Sequence, residues 1–155
     1  RVRCTDGLTG IEDIAPDNIV ICGMGGELIA SILAASDYVK NPNVRLILQP
    51  MSHPEKLRSY LAKDGFKTVG GTMAKAQDKL YQCIVCEYDG VERSLSPAAL
   101  ELGEENINGE HTPVFTETLE NLINKTERAI EGRKKGGLDN TDLLKLLSEL
   151  NEIRG

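Results

Sequence analysis

Short apolar runs alternate with amphipathic stretches through the first ninety residues of the chain. Residues 18–22 are rich in β-branched side chains and run directly into glycines, which predicts a strand buried on both faces. In residues 27–35 the apolar positions recur at the i, i+1, i+4 and i+5 spacing of an amphipathic helix. Residues 44–48 form the next predicted strand, which ends at Gln49-Pro50.

A second helix and a strand pair follow this first unit. His53-Pro54 opens a helix, because proline is tolerated in a first turn, and Asp64-Gly65 ends it. Residues 67–73 and 80–88 are two more predicted strands, and the polar stretch between them predicts a hairpin-like return. Strand–helix alternation of this kind predicts an α/β fold whose parallel sheet gains an antiparallel last strand.

Residues 91–155 differ from the first ninety in their pattern of apolar and polar residues, and this pattern predicts no strand. Leucine and isoleucine recur at helical spacing in residues 119–130 and again in residues 143–153. Gly132 and Gly136-Gly137 interrupt this pattern and predict a break between two helices. We therefore expect an antiparallel helical hairpin docked on the α/β part.

Composition and length narrow the class of protein. At 155 residues the chain is long enough for one domain, or for one domain with an appendage. Its 40% hydrophobic and 27% charged residues exclude a disordered chain. No apolar run approaches the roughly 18 residues of a membrane-spanning helix, and the first ten residues carry no export signal. We therefore expect no membrane partner and a cytoplasmic location.

The charge distribution argues against broad nucleic-acid binding. The net charge is −6, with 10 basic and 11 acidic residues in 1–90 and 8 basic and 13 acidic residues in 91–155. Aromatic residues make up only 4% of the chain, too few for a base-stacking platform. RNA binding would need a local cationic patch. The candidates for such a patch are Lys56, Arg58, Lys63, Lys67, Lys75 and Lys79.

The four cysteines do not form a disulfide framework. Cys4, Cys22, Cys83 and Cys86 all lie in strand-like apolar runs, which predicts reduced thiols in the core. Cys83 and Cys86 have the CxxC spacing, but on a strand they point to opposite faces and no second cluster follows. No metal site is predicted.

The glycine-rich turn after the first strand is the strongest candidate site. Glycines at 23, 25 and 26 allow unusual backbone angles and let a ligand approach the main chain at the carboxyl edge of the sheet. The alternative is a tight strand-to-helix turn without a ligand. Leu28 replaces the third glycine of the dinucleotide fingerprint, and no Gly-Lys-Ser/Thr follows for a triphosphate.

Two further segments could contribute to a site. Asp6, in the turn of residues 5–8 after the strand-like Val2-Arg3-Cys4, could accept a ligand amine or simply shape an ordinary turn. Residues 49–53 follow a strand and so reach the same sheet edge as the glycines. His53 could transfer a proton there, or it could serve only to begin the helix.

Several segments in this order resemble the bacterial tRNA (adenine-N1)-methyltransferases that modify an adenine in the D-arm region of tRNA. Asp6-Gly7-Leu8 is similar to the turn after that family's third strand. Residues 19–29, with the sequence IVICGMGGELI, are similar to its fourth strand and signature glycine turn. Residues 46–50 and 80–81 are similar to its fifth strand and the start of its last strand. The combined order is more specific than any single segment.

The resemblance implies a partial Rossmann-like methyltransferase sheet, S-adenosyl-L-methionine as methyl donor, tRNA as partner and no metal. By analogy Asp6 would bind the adenine amine of the donor, with Gly7 and Leu8 beside the ring. The methionine and ribose end would be lined by Cys22, Gly23, Met24 and Gly25. The target adenine would lie near Gln49, Pro50 and His53. Its N1 would attack the methyl group in line, with catalysis resting on positioning, and the helical tail would help to grip the tRNA.

The family's first strand, its donor loop and its ribose-binding acid would all precede residue 1. The resemblance therefore implies that residues 1–90 are the C-terminal part of a methyltransferase domain and residues 91–155 a helical extension. We expect this portion alone to bind the donor weakly and to be inactive. The bare edge of strand 18–22 should then be covered by a second copy of the chain, a swapped segment or a refolded N-terminus. The alternatives are an oligomerisation or binding module without catalysis, and a methyltransferase acting on small molecules with the same donor.

Overall fold

A mixed four-stranded sheet forms the centre of the protein in a computed structural model that describes residues 4–155. Val2 and Arg3 of the predicted strand-like opening lie outside the described residues. The sheet order is β1-β2-β4-β3. Its strands are β1 (Asn18–Gly25), β2 (Arg45–Ser52), β3 (Phe66–Ala76) and β4 (Lys79–Tyr88).

The directions of the strands confirm the predicted fold class. β1 and β2 are parallel, and β4 is antiparallel to both of its neighbours, β2 and β3. Strands β1, β2 and β3 therefore point the same way, and their carboxyl ends meet at one edge of the sheet. We call this edge the ligand edge, because α/β proteins bind ligands at the carboxyl ends of parallel strands.

Within the described residues, six helices surround or extend the sheet. They are α1 (Gly26–Ala34), α2 (Pro54–Lys63), α3 (Pro97–Leu102), α4 (Glu104–Ile107), α5 (Pro113–Lys135) and α6 (Thr141–Arg154). Short 3-10 turns occupy Ile11–Asp13 and Asp37–Lys40. Within residues 4–155 no helix combines the length and the apolar character needed to cross a membrane.

The core lies on one face of the sheet only, so the prediction that the first strand is buried on both faces was wrong. Ile19 and Ile21 are buried in a cluster with residues of α1 and α2, whereas Val20 is 62% exposed and Cys22 is exposed. Side chains alternate between the faces of a strand. The described residues cover the face of Ile19 and leave the other face of β1 in contact with solvent.

The prediction of four core thiols was also only partly right. Cys86 is buried and Cys83 is half-buried, but Cys4 and Cys22 are exposed. Cys22 is exposed because it lies on the uncovered face of β1. All four cysteines are free thiols.

The two long tail helices pack as the predicted antiparallel hairpin. Arg133 and Asp142 pair at one end, with 2.6 Å between Nη1 and Oδ1, while Arg154 lies 3.9 Å from Glu120 at the other end. Gly132 was expected to break the helix but lies inside α5, which continues to Lys135. A second core forms here from Ala98, Leu102, Phe115, Leu119, Ile123 and Leu150.

Arg58 joins the tail to the sheet and is only 2% exposed. Its Nη2 donates to Oε1 of Glu105 at 2.9 Å, and its Nη1 donates to Oε1 of Gln82 at 2.7 Å. The side chain therefore lies in the interior, and its assignment to a cationic surface patch was wrong. The sequence could not reveal this, because the partner Glu105 is 47 positions away.

Candidate functional site

Gly23 leaves the main chain accessible at the end of β1. The strand bulges here, since Cys22 pairs with Gln49 and Met24 pairs with Pro50, which leaves Gly23 out of the ladder. Its φ of 80° belongs to the left-handed region that glycine adopts readily. A Cβ atom at this position would meet nothing within 4 Å. The backbone of the turn can therefore be approached closely by a ligand.

Gly26 serves a different purpose in the same turn. A Cβ atom on Gly26 would lie closer to the backbone oxygen of His53 than the 3.0 Å that real Cβ atoms keep. Only glycine allows the start of α1 to lie directly against the turn between β2 and α2. Gly23 is thus open to solvent, while Gly26 is a packing requirement.

The side-chain amide of Gln49 connects β2 to the glycine turn. The Gly23 amide donates a hydrogen bond of 3.0 Å to Oε1 of Gln49. Nε2 of Gln49 in turn donates to the Pro50 carbonyl at 3.2 Å. The structure therefore brings Gln49 and Pro50 to Gly23 and Met24, as expected from their positions at the ends of neighbouring strands.

His53 lies at the ligand edge in a strained backbone conformation. Its φ of 53° and ψ of 50° are unusual for a residue with a side chain. The exposed imidazole is held by Glu55, whose Oε1 lies 3.1 Å from Nδ1. His53 does precede α2 as its N-cap residue, but its side chain forms no capping hydrogen bond.

Glu101 is a carboxylate near this edge that the sequence did not point to. Burial raises its pKa, and the negative charge of Glu55 adds to the rise. Lys125, Arg58 and His53 act on this pKa in the opposite direction. Its helix could have been found from Ser96-Pro97, since Ser96 Oγ accepts a hydrogen bond from the Ala99 amide at 3.2 Å.

Asp6 lies in a turn beside α1. The Asp6 carbonyl accepts a 3.1 Å hydrogen bond from the Thr9 amide, while its carboxylate forms no hydrogen bond with the described residues. Gly7 has a φ of 53°, and a Cβ there would lie 3.4 Å from Ile32 Cγ2. A cavity of about 230 Å³ opens at this turn. It is lined by Asp6, Gly7, Leu8, Thr9, Leu28, Ser31, Ile32 and Ala35.

The Asp6 turn and the glycine turn are the two predicted parts of the site. They are connected through α1 and do not line one closed pocket. Leu28, one turn after the glycines, contributes to the cavity at Asp6, but Gly23, Met24 and Gly25 do not line it. Met24, Leu28 and Met51 are 39%, 52% and 49% exposed and give the ligand edge an apolar surface. In the part of the chain that the structure describes, no three His, Cys, Asp or Glu side chains are arranged to hold a metal ion.

Comparison with known proteins gives consistent matches along most of the chain. Bacillus subtilis tRNA (adenine(22)-N(1))-methyltransferase is 37% identical over 100 residues, which are 60% of this chain and 42% of that protein. The matched segment thus covers less than half of the length of that curated relative.

Two solved structures extend the match to the fold. One is a Streptococcus pneumoniae protein, assigned as a tRNA (m1A22) methyltransferase, in complex with S-adenosyl-L-methionine. It is 31% identical with a TM-score of 0.80, and the match covers 100% of this chain and 68% of that one. The other is the Bacillus subtilis m1A22 tRNA methyltransferase, 30% identical with a TM-score of 0.75 over 97% of this chain and 65% of that one.

The family assignment rests on a match over almost the whole sequence. The family model described as tRNA (adenine(22)-N(1))-methyltransferase matches residues 1–151. This chain belongs to that family.

Proposed function

We propose that this chain is part of an S-adenosyl-L-methionine-dependent methyltransferase that modifies N1 of an adenine in tRNA. The observation that carries the proposal is the open main chain at Gly23, held by Gln49 at the ligand edge. Family membership and the donor complex of the Streptococcus pneumoniae relative support it. We also propose a cytoplasmic location, since tRNA is the substrate.

The residues at this edge fit a donor of that kind. The free carboxylate of Asp6 can accept a hydrogen bond from an adenine amine at the mouth of the 230 Å³ cavity. Gly7 and Leu8 line the same cavity beside that position. In our proposal the methionine and ribose end lies over the glycine turn, where a Cβ at Gly23 would take up the open space. Its contacts would be Cys22, Gly23, Met24 and Gly25.

Positioning and charge are what the chain itself contributes to the reaction. The donor supplies a methyl group bonded to a positively charged sulfur. In our proposal Gln49, Pro50 and His53 orient the target adenine at the ligand edge, and the exposed methionines exclude water from it. Correct orientation alone can be worth about 7–11 kcal/mol of a barrier. Neutral adenine carries a lone pair on N1, so no residue has to remove a proton before transfer.

Donor binding can be tested by calorimetry with S-adenosylhomocysteine. Asp6→Asn removes a charged acceptor, and hydrogen bonds to charged groups contribute about 1.5–3 kcal/mol. We expect affinity to fall at least tenfold. Asp78→Asn, in the exposed turn after β3, is the matched control and should bind as the unsubstituted chain does. Equal affinity of the Asp6 and Asp78 variants would contradict the assigned role of Asp6.

The methylated position can be tested on tRNA transcripts. Methylation of N1 blocks the pairing edge of adenine, so reverse transcription should stop at the modified base. A stop that requires both the protein and the donor is the expected result. Donor binding without any stop would favour the alternative of a methyltransferase for small molecules. With a protein of the relatives' full length that contains this chain, absence of both would favour a binding or assembly module.

We also propose that a second copy of the chain covers the open edge of β1. In the described residues β1 pairs only with β2, and residues 4–17 form turns and a 3-10 turn instead of a covering strand. Val20→Lys should blunt this edge and lower the sedimentation coefficient at high concentration. The control is Val69→Lys on β3, an exposed valine at the opposite edge of the sheet. A chain that stays monomeric up to about 100 µM would contradict this proposal.

A further inference from the structure

The orientation of the Gln49 side-chain amide is fixed by two main-chain groups. Oε1 accepts a hydrogen bond of 3.0 Å from the Gly23 amide, and Nε2 donates one of 3.2 Å to the Pro50 carbonyl. A flipped amide would place its NH2 group against the N–H of Gly23 and its oxygen against the oxygen of Pro50. Gln49 therefore presents one fixed order of acceptor and donor at the ligand edge.

Both polar atoms of this amide keep capacity for a further hydrogen bond. A carbonyl oxygen carries two lone pairs, and the Gly23 amide uses one of those on Oε1. Among the described residues, Nε2 has one other partner, the Met51 sulfur at 3.4 Å, and a thioether is a weak acceptor. The Met51 side chain is 49% exposed and is free to move aside. A ligand at this edge therefore finds one acceptor and one donor side by side.

The Gln49 side chain is accessible from the uncovered face of the sheet. Leu48 and Pro50 are buried in the core, whereas Gln49 between them is half-buried. Since side chains alternate between the faces of a strand, Gln49 lies on the face opposite to the core. Its neighbour in the sheet is the exposed Cys22 of β1. A planar base can therefore approach the amide without displacing any core residue.

The chemistry of the proposed reaction selects the edge of adenine that this amide can bind. An acceptor and a donor side by side match adenine in two ways, through its N6 amine with N1 or through its N6 amine with N7. N1 has to stay free, because it attacks the methyl group. The pairing with N6 and N7 leaves N1 free, and it is the usual pairing of glutamine with adenine.

We infer that Gln49 determines the specificity for adenine, with Oε1 accepting from the N6 amine and Nε2 donating to N7. This inference rests on the proposed function and names the edge of the base that is bound. Guanine carries an oxygen in place of the N6 amine, which would face Oε1 as a second acceptor. The amide cannot flip to accommodate guanine, because Gly23 and Pro50 hold it.

Methylation of tRNA transcripts with altered target bases tests this inference. The target base is adenine, 7-deazaadenine, which lacks the N7 acceptor, or purine, which lacks the N6 amine. The enzyme is a protein of the relatives' full length that contains this chain. We expect kcat/KM to fall about tenfold on loss of either group, because each removes one hydrogen bond and leaves its partner on Gln49 unsatisfied.

Gln49→Glu separates the two contacts. A carboxylate keeps an acceptor for Gly23 and for the N6 amine but has no hydrogen to donate to N7. This variant should lose the response to 7-deazaadenine and keep the response to purine. Ratios taken between variants on the same base cancel differences in the intrinsic reactivity of N1. Gln77→Glu, in the exposed turn between β3 and β4, is the matched control and should keep both responses.

An unchanged response of Gln49→Glu to 7-deazaadenine would overturn the inference and leave the proposed function standing. Loss of that response in His53→Asn alone would also overturn it and would assign the N7 contact to His53. Asparagine is suitable there because it tolerates the left-handed backbone of this position. Failure of the unsubstituted protein to methylate the adenine transcript would overturn the proposed function and the inference together.

Discussion

The main chain of Gly26 lies directly against the carbonyl of His53. A Cβ on Gly26 would come closer than 3.0 Å to the backbone oxygen of His53. It would also lie only 3.2 Å from Leu57 Cβ. The starts of α1 and α2 are therefore locked together behind the ligand edge. The strained backbone of His53 is maintained by this contact and by the hydrogen bond that its carbonyl accepts from the Lys56 amide at 3.2 Å.

Gly26→Ala should destabilise the protein. Alanine favours a helix over glycine by up to about 1 kcal/mol, but overlap with a backbone atom costs about 1–3 kcal/mol or more. Gly132→Ala in α5 is the matched control, since a Cβ there meets nothing within 4 Å and should stabilise the helix. Urea unfolding of the two variants should show shifts of opposite sign. A shift of the same sign in both would contradict the packing role of Gly26.

Arg58→Met should be among the most destabilising single substitutions in the chain. It leaves the Glu105 carboxylate, which is only 12% exposed, without its ion-pair partner, and breaking a buried pair costs about 3–5 kcal/mol. The double variant Arg58→Met/Glu105→Gln should recover part of this loss, because it removes the unpaired charge. Denaturant unfolding of the single and double variants measures the coupling. Additive effects would show that the two groups do not depend on each other.

Stability at low pH should depend on Asp89. Hydrogen bonds from Arg93 and from the Val91 amide lower the pKa of Asp89 to about 2, below the value near 3.9 of an unfolded chain. The stabilisation is therefore complete above about pH 4 and is lost as the pH falls through 2. Asp89→Asn should be less stable than the unsubstituted chain at pH 7, and the difference should disappear as the pH falls below 2. A pH-independent difference in urea midpoint would argue against this assignment.

The four thiols should differ in their reaction with iodoacetamide. Cys4 and Cys22 are exposed and should be alkylated first, and half-buried Cys83 should follow. Burial raises the pKa of Cys86 to about 12, so this thiol should react only after unfolding. Peptide mass spectrometry at pH 8 with and without urea measures the order. Early modification of Cys86 would contradict its position in the core.

The order of strands and helices could be predicted from local sequence patterns. Whether each face of a strand is covered by other residues could not. The β-branched run at 18–22 identified β1, but Val20 and Cys22 face solvent because no described element packs over them. Periodicity reports which side chains share a face. It does not report whether another part of the structure lies on that face.

The site shows the same division between local and distant information. Gly23 and Gln49 could be predicted because both follow strands that end at the same sheet edge. The place of Glu101 near the site and the burial of Arg58 could not be predicted, because both depend on how α3 and α4 pack on α2. Gly132 was expected to interrupt the helix, but one glycine costs a helix interior only about 1 kcal/mol, and α5 continues through it to Lys135.

The contacts of Arg58 reach from the sheet layer into the tail, and Gln82 Nε2 of β4 donates to the Glu101 carbonyl at 3.0 Å. Met73 of β3 packs against the second core in the same region. We therefore expect a single calorimetric unfolding transition, even though the sequence suggests a boundary near residue 90. A fragment cut at that point would separate Arg58 from the Glu105 carboxylate and from the carbonyls of Glu101 and Leu102. The two parts on either side of the boundary near residue 90 should therefore unfold cooperatively, and the ligand edge and α5 should melt in the same transition.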